Sequence, residues 1–358
     1  MRNRGLLNFR KKELIGLDVD SSSVRMIQMR RKGGQYVVTG AAMSDIAPWD
    51  DDPERHRTHT AEAVHQCLET VNTRNRLAVC GLRGPEVVVR GFEFPLLPSE
   101  EIDGAVQLEA SQTCPFSTDD SALDYQVTSE KERTRGFWVA ATNSLIANKR
   151  KLTHETGLKC VLMDIDGLAL LNGLQGLAPE PPAPVNEESD EDRDDLRPAL
   201  VSIGDSFTSI AIVDYAQRPF VRDVYSGEQD IIRQMIRTTK LSAEAVRDAL
   251  YGDGPVDEEI HQQGLEKACS QLLDSIATTL RYYIAENRLA RVSKVLVSGR
   301  LALADSFIDL LARKLSMETV AWNPVAGLPC EADEKCQSLL QESGPAVAVA
   351  AGLAMRTI

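Results

Sequence analysis

The sequence predicts an α/β protein with two lobes and a small α+β subdomain inserted into the first of them. An apolar strand at residues 14–17, a polar turn and a second strand at 24–29 indicate a β-hairpin. The same pattern returns at 200–213, about half a chain later, and such an internal repeat indicates a duplicated fold. Residues 87–156 have their own order of strand, helix, strand, strand and helix, which is typical of a compact subdomain.

Composition limits the functional classes. With 358 residues, 43% of them hydrophobic and 26% charged, the chain can bury a sizeable core and is expected to divide into two or more lobes. The net charge of −13 argues against nucleic acid as a main partner, because phosphate backbones bind to basic faces. No apolar run approaches the roughly 18 residues of a membrane span, and no signal-peptide pattern is present. We therefore expect a soluble, cytoplasmic protein.

Residues 1–12 form a basic arm, in which five cations surround Leu6, Leu7 and Phe9. Such an arm could contact an anionic membrane surface. A disordered N-terminus is the alternative, and the sequence favours it.

The first hairpin has a turn whose chemistry suits phosphate. Small side chains allow backbone N–H groups to approach an anion, and an acidic residue at a strand end can hold a metal ion through water. The residues concerned are Asp18, Asp20, Ser21, Ser22 and Ser23. An ordinary polar β-turn remains the alternative interpretation.

The remaining helices and strands of the first half are predicted from the periodicity of apolar residues and from turn residues. We predict a strand at 36–43, an acidic loop at 50–53, a helix at 61–71 and a strand at 76–82. His56, His59 and His65 lie near Cys67, but their spacing matches no helical pair of metal ligands, so an exposed loop leading into the helix is preferred. In the inserted block we predict a strand at 87–94, a helix at 99–113 capped by Ser99, strands at 122–129 and 136–142, and a helix at 144–156.

A proline-rich and then acidic segment at 178–198 separates the halves. It cannot bury enough apolar surface to fold, so we predict a flexible linker, with an acidic docking tail for a basic partner as the alternative. Beyond it the sequence predicts the second hairpin from Leu200, a strand at 221–225, helices to about 250, a turn at 251–255, a long helix at 258–289, a strand at 294–300 and a helix at 302–315.

Several motifs resemble the PilM family, the cytoplasmic actin-like proteins of type IV pilus assembly. They are Phe94-Pro95-Leu96-Leu97-Pro98-Ser99-Glu100-Glu101-Ile102, Ala105-Val106-Gln107-Leu108-Glu109-Ala110, Pro115-Phe116 and Leu123-Asp124-Tyr125-Gln126-Val127 in the inserted block, and Gly157-Leu158, Asn323-Pro324 and the closing run 345–356 elsewhere. The resemblance covers nearly the whole chain and extends more distantly to FtsA. The paired hairpins resemble the nucleotide cleft of the actin, sugar-kinase and Hsp70 superfamily.

The resemblance implies an actin-like (ribonuclease H-like, duplicated) fold with two lobes around a nucleotide cleft. The domain division expected from it is lobe 1 at 13–86, the inserted subdomain at 87–156, a return to the cleft at 157–177, the linker at 178–198, lobe 2 at 199–300 with an outer part at about 227–260, and a C-terminal part at 301–358 that completes both lobes.

The same resemblance implies a site for ATP and Mg²⁺. Asp18, as the Mg²⁺ residue, and the turn Asp20, Ser21, Ser22, Ser23 would form the first phosphate loop. The second loop would hold Gly204, Asp205, Ser206 and Thr208, while Ser226, Gly227, Ser298, Gly299 and Arg300 would lie beside ribose and adenine. Four positions depart from the family pattern: Asp20, Ser226 and Arg300 stand where glycine is usual, and Ser202 where aspartate is usual.

These departures predict a weakened nucleotide site. A carboxylate about 4 Å from a phosphate charge repels it by roughly 4 kcal/mol at an effective dielectric near 20, which is about three decades in affinity. A Mg²⁺ ion shared by Asp20 and the phosphates could reverse that sign. Ser202 removes a metal-orienting carboxylate from the second hairpin. Our hypothesis is that the protein binds ATP weakly or not at all and does not turn it over.

The function implied by the resemblance is that of an adaptor. The N-terminal cytoplasmic tail of PilN would enter a groove formed by the strand at 87–94 and the helix at 99–113, and so link the inner-membrane platform to the motor ATPases. The protein would then be peripheral to the inner membrane through its partners, and self-association is left open.

Three other readings remain. An active ATPase or sugar kinase would need a pair of carboxylates across the two hairpins, and Ser202 stands where one of them is expected. A filament former like FtsA is expected to carry a C-terminal amphipathic helix, whereas the sequence stops at Ile358 after an apolar one. A type II secretion protein of related fold should continue into a membrane span. We rank the adaptor first.

Overall fold

The structure is a computed structural model that describes residues 13–129, 132–177, 195–213, 218–252, 258–287 and 290–357. Within these residues there are two five-stranded sheets, one in each lobe, and a three-stranded sheet in the inserted subdomain. The basic arm and residues 178–194 of the expected linker lie outside the described residues, so neither expectation is tested there. Residues 195–198, expected as the end of the linker, instead belong to a strand of the lobe 2 sheet, because they pair in parallel with residues 290–294.

Lobe 1 opens with the predicted hairpin. Its elements up to the insertion are β1 (Leu14–Val19), β2 (Ser23–Lys32), β3 (Gln35–Asp45), α1 (Pro53–Val71) and β4 (Leu77–Leu82). β1 pairs antiparallel with β2 and parallel with β4. The hairpin tip therefore lies at the carboxyl end of β1 and beside the carboxyl end of β4.

Helix α1 starts eight residues before the predicted start at 61. The Asp52 side chain accepts hydrogen bonds from the backbone N–H groups of Glu54 and Arg55, and Pro53 occupies the first turn. His56 and His59 therefore lie on the helix and not in a loop leading to it. The sequence does contain this start signal, an Asp-Pro pair, but its acidic neighbours suggested a loop.

The inserted subdomain contains β5 (Val87–Pro95), α2 (Ser99–Thr113), β6 (Ser121–Ser129), β7 (Arg133–Thr142) and α3 (Asn143–Glu155). Its strand order is β5-β7-β6, so β5 is an edge strand. Ile102, Val106 and Ala110 of α2 are buried in a core with Phe92 and Trp138. Ser99 does not cap α2 as predicted, because it is already the first helical residue and its hydroxyl faces the Glu100 carboxylate.

The chain then returns to lobe 1, builds lobe 2 and ends in lobe 1. These elements are β8 (Lys159–Ile165), α4 (Asp166–Leu177), β9 (Asp195–Ile203), β10 (Thr208–Val213), β11 (Pro219–Val224), α5 (Glu228–Thr239), α6 (Ala243–Tyr251), α7 (Glu258–Glu286), β12 (Ala290–Gly299), α8 (Asp305–Leu315), β13 (Thr319–Ala321), α9 (Glu334–Glu342) and α10 (Ala348–Ala354). Single 3₁₀ turns occupy Thr118–Asp120, Arg300–Leu303 and Gly344–Val347.

The two lobe sheets have matching strand orders, β3-β2-β1-β4-β8 and β11-β10-β9-β12-β13, which is the duplication that the repeated hairpins predict. The apolar positions of α7 lie in the lobe 2 core, as the 3.6-residue spacing predicts. β12 starts four residues before the predicted strand, and its register shifts between Val292 and Lys294.

The apolar helix α10 is buried between β1 and α4. A Cβ atom at Gly16 would overlap the carbonyl oxygen of Ala350, and one at Gly352 would overlap that of Ala169. Only glycine permits these close approaches. Lobe 1 is therefore assembled from segments on both sides of lobe 2.

None of the helices in the described ranges is both long and apolar enough to cross a membrane.

Candidate functional site

The tips of the two repeated hairpins face each other across the cleft and are in direct contact. The hydroxyl oxygens of Ser21 and Ser206 are 2.6 Å apart. The Asp205 carboxylate accepts hydrogen bonds from the Ser22 backbone N–H at 3.0 Å and from the Ser23 hydroxyl at 2.8 Å. The turn predicted as a phosphate loop thus holds a carboxylate of the opposite lobe.

Asp20 makes the reciprocal contact. Its Oδ2 atom accepts a hydrogen bond from the Asp205 backbone N–H at 2.7 Å, and its Oδ1 atom accepts one from Ser21 N–H at 2.8 Å. A Cβ atom at Gly204 would lie 2.5 Å from Asp20 Oδ2, so only glycine allows the second hairpin to come this close. Each lobe therefore places a carboxylate on the backbone of the other.

Two buried arginines compensate these acids. Arg83, directly after β4, forms ion pairs with Asp18, with Asp20 at 3.0 Å and with Asp166 at 2.6 Å. Arg25, on β2, contacts Asp205 at 2.9 Å and lies 3.4 Å from Asp18. We call this set of Asp18, Asp20, Asp166, Asp205, Arg25 and Arg83 the charge cluster.

Sequence reasoning found three of the four acids in the charge cluster but missed Arg25, Arg83 and Asp166. Arg83 follows β4 and Asp166 follows β8, and the carboxyl ends of parallel strands are where sites form in open α/β sheets. That rule could have identified both. Arg25 has a weaker signal, since it is one of several polar residues that alternate along β2.

The remaining predicted residues lie in lobe 2 around the second hairpin. Thr208 donates to the Ser226 carbonyl at 2.8 Å, and Gly227 precedes α5 with its Cα against the backbone of Asp205. Ser298 and Gly299 end β12, where Gly299 has φ +92°. The hydrogen bond from Thr208 and the close approach of Gly227 to Asp205 stabilise the turn of the second hairpin.

Arg300, which the resemblance places beside the base, forms an ion pair across the cleft. Its guanidinium reaches across to lobe 1 and donates to the Asp45 carboxylate at 2.9 Å. It is a second link between the lobes.

The contacts in the charge cluster do not leave a phosphate site between the hairpins. The serine hydroxyls are already in mutual contact, and the Asp18 carboxylate, predicted to orient Mg²⁺, is engaged by both arginines. Two guanidinium groups provide the positive charge that a metal ion would otherwise supply. In this arrangement the residues do not fit ATP and Mg²⁺, and the expectation that ATP binds weakly or not at all remains a prediction.

Comparison with known proteins decides the family. Residues 16–358 match the model of the family described as type IV pilus assembly protein PilM. The chain belongs to this family.

Solved structures agree with the actin-like fold. A structure described as the PilM-PilN type IV pilus biogenesis complex matches at TM-score 0.77 and 22% identity, with 97% of this chain and 98% of the other covered. Ethanolamine utilization protein EutJ from Carboxydothermus hydrogenoformans matches at TM-score 0.53 and 12% identity over 96% and 89%. A diol dehydratase-reactivating factor in nucleotide-free form matches at TM-score 0.52 and 9% identity over 96% and 99%. The predicted fold class is confirmed.

In this PilM-family protein, burial and charge shift the acids of the cluster in opposite directions. Burial raises the pKa of Asp20 to about 6, with the Asp205 charge acting in the same sense and Arg25 opposing it. Burial likewise raises the pKa of Asp166 to about 6, against the charges of Arg83 and Lys149. For Asp205 burial is outweighed by Arg25 and by hydrogen bonds from Ser23 and Ser22, which lower its pKa to about 2.

We expect the protein to become more stable as pH falls from 7 to about 5. The folded pKa values of Asp20 and Asp166 lie above the ordinary value of an aspartate, so between pH 7 and 5 the folded state binds more protons than the unfolded state. The free energy of unfolding should therefore rise by on the order of a few kcal/mol. Below about pH 4 the unfolded state takes up the Asp205 proton more readily than the folded state, because the pKa of Asp205 is lowered by folding. The free energy of unfolding should then fall. Urea denaturation at a series of pH values from 7 to below 4 measures both the expected rise and the expected fall in stability.

Asp166→Asn is the control for this pH dependence. It mimics the protonated acid, so the gain between pH 7 and 5 should shrink while the loss below pH 4 remains. A stability that falls steadily from pH 7 would contradict the assignment.

A second feature of the site is a groove of about 840 Å³ between the inserted subdomain and lobe 2. β5 forms one wall, and β11 with the end of α7 forms the other. β11 and β5 are edge strands of their own sheets, and residues of both line the groove. Tyr225 and Tyr282, which also line the groove, are 65% and 49% exposed.

The sequence analysis expects a peptide groove at β5 and α2, and that expectation is not tested. The groove between the subdomain and lobe 2 shares β5 with it. Of α2, Glu109 lines the groove, whereas most of the opposite wall comes from lobe 2. At the floor, Gly84 N–H donates to the Asp223 carboxylate at 2.7 Å. The contribution of β11 and α7 could not be seen in sequence, because it depends on how the subdomain folds back over lobe 2.

Proposed function

We propose that this protein is an adaptor of the type IV pilus assembly platform that binds the N-terminal cytoplasmic tail of PilN in the groove between β5 and β11. Through this contact it links the inner-membrane platform to the motor ATPases and is peripheral to the membrane. The observation that carries the proposal is a groove of about 840 Å³ lined by residues of both β5 and β11. Family membership and the likeness to a PilM-PilN complex support it.

The groove suits an extended peptide. Its lining combines apolar side chains of β5 and β11 with charged residues of the same strands, and apolar pockets with a few polar contacts are what a bound peptide needs. Exposed tyrosines at the rim supply large apolar contact area, a composition typical of residues that dominate binding energy. Arg222 lies 6.0 Å from the Tyr282 ring centroid and holds this side chain against the wall.

We further propose that the nucleotide site has been lost and that the charge cluster holds the lobes closed in its place. The support is geometric: hairpin contacts of 2.6 to 3.0 Å occupy the space between the tips. An adaptor of this kind needs no catalytic group. Its affinity for the peptide should therefore not depend on nucleotide.

The test is binding of a synthetic peptide of the PilN N-terminal tail to the purified protein, with and without Mg-ATP. Tyr282→Ala should weaken binding by tenfold or more, because it removes an aromatic anchor from the groove wall. Leu108→Ala is the matched control, since Leu108 is 61% exposed on α2 but does not line the groove. Its affinity should equal that of the wild type.

The outcomes separate the two parts of the proposal. Binding that is insensitive to Tyr282→Ala would show that the groove is misplaced, and no binding of the tail by the wild type would refute the adaptor function. Binding that requires Mg-ATP would refute the lost nucleotide site alone.

A further inference from the structure

The segment between β13 and α9 covers the outer edge of the lobe 1 sheet. β3 is an edge strand of that sheet, and Val38 on β3 forms an isolated parallel bridge with Cys330. The Val38 N–H donates to the Pro329 carbonyl at 2.9 Å, and the Glu331 N–H donates to the Val38 carbonyl at 2.9 Å. An uncovered edge strand can pair with other chains, so residues 329–331, which we call the edge cover, protect this side of lobe 1.

The edge cover places two cysteines side by side. The Sγ atoms of Cys330 and Cys336 are 3.7 Å apart, a contact between sulfur atoms that are not bonded. A disulfide bond is about 2 Å long, so a shift of less than about 2 Å brings the two atoms to bonding distance. Cys336 lies in the first turn of α9, where the Asp333 carboxylate accepts a hydrogen bond from its backbone N–H at 2.9 Å. The helix cap therefore fixes one thiol beside the other.

The two thiols differ in their access to solvent. Cys330 is half-buried, whereas Cys336 is 4% exposed and belongs to the same buried cluster as Val38 and Leu340. Burial raises the pKa of the Cys336 thiol to about 12, and the neighbouring Cys330 acts in the same sense. Because the thiolate is the nucleophile of a cysteine, Cys336 is not the first of the two to react. Cys330 is the thiol that a solute can reach.

A metal site is the main alternative for neighbouring cysteines. A structural zinc ion takes four ligands from cysteine, histidine and carboxylate side chains. Within the described ranges, no group of three or more such side chains is placed to hold a metal ion. Two acids of the same loop are engaged elsewhere, since Asp333 caps α9 and Glu331 pairs with Arg30 and Lys32. The chemistry left to the two cysteines is that of thiols.

We propose that Cys330 and Cys336 form a reversible oxidation site, which a low-molecular-weight disulfide such as oxidised glutathione converts into an intramolecular disulfide. The Cys330 thiolate attacks one glutathione sulfur, which gives a mixed disulfide and releases one glutathione thiolate. Cys336 then gives its proton to solvent and attacks Cys330 Sγ, and the second glutathione thiolate leaves. The protein loses two electrons and two protons, which the two glutathione molecules take up.

The new bond ties the edge cover to α9. In the reduced protein the cover is held on β3 by the two hydrogen bonds at Val38, by partly buried side chains and by the ion pairs of Glu331, which are partly exposed and contribute little. A disulfide closes a short loop onto a helix that packs on the same core, so it removes conformations in which the cover has left the strand. Oxidation therefore keeps the edge of β3 covered, and reduction allows it to open.

The experiment is incubation of the purified full chain with oxidised glutathione, followed by peptide mapping without reduction. We expect the map to join Cys330 to Cys336, and excess reduced glutathione should restore both thiols. Hydrogen exchange at the Val38 amide should slow by about tenfold in the oxidised protein, because this N–H donates to the edge cover.

Three variants separate the roles of the thiols. Cys336→Ser keeps the reacting thiol without its partner, so it should accumulate one glutathione on Cys330, whereas Cys330→Ser should form neither the adduct nor the link. Cys160→Ser is the matched control, because Cys160 is also half-buried and a hydrogen bond with Cys80 lowers its pKa to about 7. The link between Cys330 and Cys336 should form in it as in the wild type.

The wild-type map needs no substitution, so the test does not depend on the folding of a variant. A map without the link between Cys330 and Cys336, loss of that link in Cys160→Ser, or equal exchange of the Val38 amide in the reduced and oxidised protein would each overturn the proposal.

Discussion

Replacing Arg83 with methionine should lower the free energy of unfolding by about 3–5 kcal/mol. The Arg83 guanidinium contacts Asp18, Asp20 and Asp166, whose side chains are 1–3% exposed, so its removal leaves three buried carboxylates with only Arg25 to compensate two of them. Breaking a buried ion pair from one side costs more than the pair contributes, because the remaining charge stays desolvated. Urea denaturation at pH 7 measures the loss.

The control is Arg57→Met on α1. Arg57 pairs with Glu54 at 2.6 Å and with Glu155 at 3.4 Å, but it is 37% exposed, and surface pairs contribute less than about 1 kcal/mol. Adding Asp166→Asn to Arg83→Met should recover part of the stability, because one unpaired charge disappears. A cost for Arg83→Met as small as that of the control would show that the Arg83 ion pairs do not stabilise lobe 1.

The second large effect concerns nucleotide. Wild-type protein should give no measurable binding heat with Mg-ATP, whereas Asp20→Gly should raise the affinity by up to about three decades. The change removes a carboxylate that would repel phosphate, and it frees Arg83 and the Asp205 N–H, which Asp20 now occupies. Isothermal titration of both proteins is the measurement, and micromolar binding by the wild type would contradict the proposal.

Asp20→Asn separates charge from space. It keeps the size of the side chain and its contact with the Asp205 N–H but removes the negative charge. If repulsion is what excludes phosphate, both substitutions should raise the affinity. If the direct contact between the hairpin tips excludes phosphate, only Asp20→Gly should raise the affinity.

The parts of the fold that the sequence predicted are those determined by local pattern. The first hairpin is an apolar run, a polar turn and another apolar run, and β1 and β2 form as that pattern requires. The same holds for the second hairpin and for the buried stripe of α7. The order of elements in the inserted subdomain was predicted from the same kind of pattern, and its element boundaries agree within a few residues.

The site was predicted only in part, because its chemistry depends on contacts between distant segments. The turn at Asp18–Ser23 was found. The strand ends before Arg83 and Asp166 mark both residues as candidates, but no local pattern shows that Arg83 pairs with Asp18 and Asp166, which lie on different elements. The direct contact of Ser21 with Ser206 depends on the angle between the lobes. A sequence motif predicts a phosphate loop, and the arrangement of the two lobes decides whether there is room for phosphate.

The burial of α10 between β1 and α4 has a consequence for biosynthesis. During translation β1 emerges from the ribosome before lobe 2, and α10 emerges after it. The face of β1 at Gly16 therefore stays uncovered until nearly all of lobe 2 has been made. The elements of lobe 2 are contiguous in sequence from β9 to β13, so lobe 2 can fold before α10 has been made. Until then the apolar face of the lobe 1 sheet stays exposed in the nascent chain, where chaperones can bind it.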